Sequence, residues 1–186
     1  MGSLYLEIDE DLRDFIAQQR VFFVASAPLA AEGHINLSPK GLDSLRILGP
    51  REVAYLDLTG SGIETVAHVR ENGRLTLMFC AFQGRPRILR LQGRARVVEP
   101  GDDDWDRLLA FFPPYASSRS IIVLNVERIA DSCGYGVPLY EYAGERSQLV
   151  AWADRKGPTG IADYKAKKNS RSIDGLPGLK TADSNH

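Results

Sequence analysis

Cysteine is scarce in this 186-residue chain. Its two cysteines are Cys80, inside an apolar run, and Cys133, in a glycine-containing loop, and they form no CxxC pair. Stabilisation by a disulfide framework is thereby excluded, and the usage fits a reducing compartment. His34 and His68, the two histidines inside the expected fold, are too few to ligate zinc, so no metal site is expected. No apolar run approaches the roughly 20 residues that a membrane helix needs. The opening MGSLYLEIDEDL turns acidic within a few residues and has no apolar h-region, so it does not read as a signal peptide. A cytoplasmic protein without a membrane partner is expected. An excess of one charge is missing as well. With 23 basic and 24 acidic side chains, a net charge of -1 and a pI near 6.3, no global field argues for nucleic acid as a partner. Internal repeats and low-complexity tracts are absent too.

A hydrophobic fraction of 44% and a charged fraction of 25% are those of a globular chain long enough to bury a core. Residues 7–20 space Ile8, Leu12, Phe15 and Ile16 helically behind a candidate N-cap, Asp9. VFFVASA (21–27) reads as a buried strand. HINLSP then returns as its hairpin partner, with Ile35 and Leu37 on one side and His34, Asn36 and Ser38 on the other. Short strands at 45–48 and 51–58 follow, then a TGSG turn, a helix over 64–72 closed by Asn72-Gly73, and a strand from Leu75.

RILRLQGRARVV (87–98) has the cleanest period-two pattern in the chain, with Arg90, Gln92, Arg94 and Arg96 on the wet face. A helix over 102–112 and a long core strand over 120–132 complete the domain. Beyond Ser132, aromatics, Gly and Pro mix with two weak helices, 146–156 and 160–168. The division is therefore a domain of 1–132, a wrapping or dimer-contact extension of 133–180, and a disordered tail of 181–186.

Strands joined by hairpins, with one helix inserted and no parallel βαβ unit, predict a mainly β fold with peripheral helices, an antiparallel barrel. The segment 33–82 gathers Asn36, Ser38, Lys40, Ser61 and Thr65 at strand ends. There hydroxyls, one ammonium and helix N-terminal amides could hold a phosphate. Taken alone, Lys40 reads as a solvated turn lysine, and Ser61 and Thr65 read as a helix cap and its first turn.

HINLSPK, VAYLDLTGSGIETVAHVRENGRLTLMF and PRILRLQGRARVV occur in order, and on them the chain resembles the pyridoxamine 5'-phosphate oxidase-like family of FMN-binding split barrels. The resemblance implies a six-stranded split β-barrel and a homodimer with FMN in clefts between the subunits. By position it assigns Lys40 to the end of the first cofactor strand. It sets Tyr55, Leu56 and Asp57 under the flavin and Ser61 and Thr65 in the phosphate turn, with His68 and Arg87 as further matches. Three positions depart from the family's basic and amide residues: Glu64-Thr65, His34-Ile35 and Ile88. The resemblance therefore carries the cofactor but not the vitamin B6 oxidase reaction.

The expected activity is an FMN-dependent oxidoreductase acting on a small-molecule substrate, with NAD(P)H as an electron donor. The alternatives are a flavin- or haem-binding protein without turnover and a deazaflavin-dependent reductase. The SCGYGVP loop, Tyr140, Trp152 and the RSIDGLP segment are the expected substrate lining.

Overall fold

A computed structural model of the chain describes residues 2–180, so the expected tail of 181–186 lies outside the described residues. Along the chain run β1 (Leu4–Tyr5), α1 (Glu10–Gln18), β2 (Phe22–Ser26), β3 (Asn36–Lys40), β4 (Leu45–Gly49) and β5 (Glu52–Leu58). Then follow α2 (Glu64–Asn72), β6 (Arg74–Cys80), β7 (Ile88–Val98), α3 (Trp105–Leu109), β8 (Ser118–Ser132) and α4 (Gln148–Lys168). The strands form one antiparallel sheet in the order β3-β2-β6-β7-β8-β5-β4, with β1 pairing to β8. It is a mainly β, split-barrel architecture. The sheet holds eight strands rather than six, because β1 and β4 add short edges.

β8 organises the sheet. Its 15 residues pair with β7 along one edge and with β5, then β1, along the other. Such a strand is shielded on both faces, which is why SIIVLNV reads as a continuous apolar run. One core cluster, including Leu12, Phe22, Tyr55, Leu77, Leu91 and Ile122, fills the barrel. A second, including Ala54, Leu56, Ile121 and Val123, lies on the opposite face under Trp105, Leu108 and Phe112. Alternate residues of β5 enter each cluster.

The helices largely follow their sequence signals. Asp9 Oδ1 accepts a hydrogen bond from the Leu12 amide at 2.9 Å and opens α1. Asp9→Ala should cost about 1 kcal/mol of stability. A urea midpoint equal to wild type would show that the cap is dispensable. α2 ends on Gly73 in the left-handed region, φ 71, where a Cβ is strained. α3 is shorter than the expected 102–112, because turns occupy both flanks. α4 is two helices in effect: Gly157, at φ 64 and ψ 175, interrupts it, and Pro158 opens the second half. No helix among the described residues is long and apolar enough to cross a membrane.

Candidate functional site

Alternation along β3 sends Asn36, Ser38 and Lys40 to one side and Leu37 to the other. β3 is an edge strand and is not a hydrogen-bonded neighbour of β5, so the backbone leaves a split between them. Side chains bridge it. Asn36 Nδ2 donates to Thr65 Oγ1 at 2.9 Å and to Ser26 Oγ at 3.1 Å. Ser38 Oγ donates to Asn36 Oδ1 at 2.9 Å, and Lys40 Nζ donates to Asp57 Oδ1 at 2.8 Å. A polar seam therefore closes the barrel between β3 on one side and β5 with α2 on the other.

Asp57 anchors the seam. Its carboxylate is fully buried, and while Lys40 holds Oδ1, Arg119 Nε donates to Oδ2 at 2.7 Å. Burial pushes this carboxyl up, but Lys40 and Arg119 together outweigh that effect and hold it at about 2. Arg119 also donates to the Gly60 carbonyl at 3.2 Å, where Asn169 Nδ2 donates at 2.9 Å. Lys165 Nζ donates to the Ser118 carbonyl nearby, and burial and then Arg119 lower its pKa. Lys40 Nζ lies 5.8 Å from the Tyr55 ring centroid. The Tyr55 hydroxyl is buried without a hydrogen-bond partner of normal geometry among the described residues. Burial, and then the Asp57 charge, push it well above its ordinary range, so it is a neutral phenol.

Lys40 remains about a fifth exposed, at 21%, and lines a cleft of about 770 Å³. Leu56 and Leu58 contribute apolar surface to the cleft, and Tyr142 and Arg146 line it from the segment beyond β8. Three cations, Arg20, Lys40 and Arg146, meet one carboxylate, Glu145.

Of the residues singled out from sequence, Asn36, Ser38, Lys40, Asp57 and Thr65 join directly in the seam. Tyr55 lies beneath Lys40, and Leu56 lines the cleft. His68 is buried, with Nδ1 3.0 Å from Ser26 Oγ and no partner for Nε2 among the described residues. Burial lowers its pKa despite the opposing pull of Asp174, Glu64 and Glu71, so the imidazole is neutral. Ser61 is exposed and does not cap α2, because Ile63 takes the N-cap position without a side-chain bond. Arg87 lies apart from the seam, bonded to Asp11, Asp131 and the Tyr5 hydroxyl.

The expected substrate lining is also rearranged. Tyr142 rather than Tyr140 reaches the cleft, while Tyr140 packs on Phe82 and Trp152 on Tyr164. The RSIDGLP segment folds back on α2 and on the turn before β3. The Ile173 amide donates to Glu64, and Asp174 accepts from the His34 amide and Nδ1. The residues missed in the seam are Ser26 and Arg119. A lone cation entering a strand buried on both faces demands a counter-ion, and Asp57 in VAYLDL was the matching signal.

Residues 8–133 match the family model described as pyridoxamine 5'-phosphate oxidase. The chain belongs to that family. It is 39% identical over 199 residues to the pyridoxamine 5'-phosphate oxidase family protein ustO of Aspergillus flavus, a match covering 98% of this chain and 80% of the relative. Among solved structures, HupZ from Group A Streptococcus is 22% identical, with a TM-score of 0.52 and coverage of 66% of this chain and 91% of that one. A Lactobacillus delbrueckii structure is 21% identical, with a TM-score of 0.51 and coverage of 66% and 93%. Both share the fold. The pyridoxamine 5'-phosphate oxidase match stops at Cys133, so Tyr142 and Arg146 reach the cleft from outside the matched region.

Proposed function

We propose that the protein is a homodimeric FMN-dependent oxidoreductase that acts on a small molecule, with NAD(P)H as electron donor. The observation that carries this reading is the cleft at Lys40. Its three cations and one carboxylate leave the surplus of two positive charges that a dianionic phosphate calls for, and its apolar lining suits a planar ring. The donor set therefore fits FMN. Lys40, oriented by Asp57, would meet the phosphate with Arg20 and Arg146 around it, and Leu56 and Leu58 would lie against the ring. FMN, when bound, supplies the two-electron transfer. Neither His34 nor His68 lines the cleft, which favours a flavin over haem.

A second copy of the chain is supported by β3. This edge strand follows Ile35 at 79% exposure and carries Leu37 at 62%, apolar surface that association would cover. Both cysteines are free, which supports a cytoplasmic location. A visible spectrum of the purified protein, followed by anaerobic addition of NADPH or NADH, tests the reading. A yellow protein that bleaches is expected. A colourless protein that takes up no added FMN would reject it, and a yellow one that no donor or substrate reduces would make it a carrier.

A further inference from the structure

Beside the Lys40 cleft lies a second chamber of about 710 Å³ that shares Arg20, Leu42, Tyr142 and Glu145 with it. A short arm forms the common wall. Tyr142 donates from its hydroxyl to Glu145 Oε1 at 2.7 Å, and the Arg20 guanidinium sits 5.2 Å from the Tyr142 ring centroid. This arm follows Cys133, so the extension supplies Tyr142 and Glu145 to the partition while the matched region supplies Arg20 and Leu42.

The two chambers differ in charge. The first carries a surplus of two positive charges. In the second, Arg13, Arg20 and Arg46 face Asp14, Asp43 and Glu145, three against three. Arg46 is already held by Asp43 through two hydrogen bonds, at 2.5 and 2.9 Å, and its Nε donates to the Phe111 carbonyl. It has little capacity left for an anion. The chamber also reaches the core rings Phe22 and Phe79, whose centroids are 5.9 Å apart, with Ile16 beside them. A phosphate or carboxylate entering here would meet as many carboxylates as cations, so the pull of Arg13 and Arg20 is offset by Asp14 and Glu145. An aromatic ring would gain burial against the part-exposed Leu42, Leu45 and Ile47 and the ring of Tyr142, with Phe22 and Phe79 as the floor beneath.

We propose that this second chamber binds the ring of an aromatic reactant without net charge, next to the cofactor. The reactant's role as substrate rests on the FMN-dependent reading above. The chamber's affinity for a neutral ring does not, so the two are measured apart. Ala17 is an exposed residue of α1 that lines the second chamber but not the first. Ala17→Trp should fill the chamber without entering the core or the Lys40 cleft.

The test is calorimetric titration of the full chain with indole, and with phenyl phosphate as the anionic counterpart, in wild type and Ala17→Trp. Saturable indole binding that weakens at least tenfold in the variant is expected, while any phenyl phosphate binding is unchanged because it reports the first cleft. Undiminished indole binding in Ala17→Trp would overturn the proposal, as would phenyl phosphate binding that the substitution abolishes. Ala17→Phe serves the same comparison if the larger ring impairs folding. A separate FMN titration of both proteins distinguishes the failures. Loss of indole binding in the variant with no FMN binding in either protein leaves the chamber standing and removes the cofactor reading.

Discussion

Asp57→Asn is expected to destabilise the protein by about 3–5 kcal/mol at neutral pH, the usual cost of removing one partner from a buried ion pair. Arg119 is only 5% exposed, and without the carboxylate it would remain buried with the Gly60 carbonyl as its other partner. Lys40 would lose the contact that ties β3 to β5. The same group sets an acid limb. Its carboxyl lies at about 2 in the fold against an ordinary value of 3.8, a depressed pKa. Its stabilisation is therefore complete above the unfolded value and disappears as pH falls through the folded one. Between about pH 4 and pH 2 the wild type should lose on the order of 2 kcal/mol through this group, and Asp57→Asn should not. Urea midpoints across that range check both statements. Equal midpoints for the two proteins at pH 7 would mean that the triad does not hold the seam.

Lys40→Met should weaken FMN binding roughly 10- to 100-fold, because a charge-assisted contact to phosphate contributes about 1.5–3 kcal/mol. The methionine side chain preserves much of the packing over Tyr55, and Asp57 keeps Arg119 as its partner. Loss of stability should therefore be smaller than in Asp57→Asn, which separates a binding effect from an unfolding one. Flavin-fluorescence titration of wild type and variant measures it. Identical affinities would take Lys40 out of the phosphate site and leave it a seam residue only.

The strand ladder was legible because burial on one face writes a period of two into β7, and burial on both faces writes an apolar run into β8. The C-terminal end of α2 was legible from the Asn72-Gly73 stop. The candidate site was legible as residues and not as bonds. Asn36, Ser38 and Lys40 could be set on one side of a strand, but nothing local says that Asn36 meets Thr65 across 29 positions or that Lys40 meets Asp57 across 17. Those contacts exist because the sheet curls until β3 faces β5, a consequence of twist along the intervening strands. Arg119 was missed for the same reason, since its partner is 62 positions away. Arg87 was carried to the site by position, but its neighbours Asp11 and Asp131 come from α1 and β8. The arm at Tyr142 has no periodicity to read, because it takes its course from Arg20 and the cleft and not from its own backbone.

Hydrogen–deuterium exchange of the wild-type protein with and without FMN tests most directly where the cofactor lies. Slowed exchange is predicted at residues 39–44, 56–58 and 142–149, the walls of the Lys40 cleft. Exchange unchanged by FMN, or protection confined to segments away from Lys40, would contradict the account.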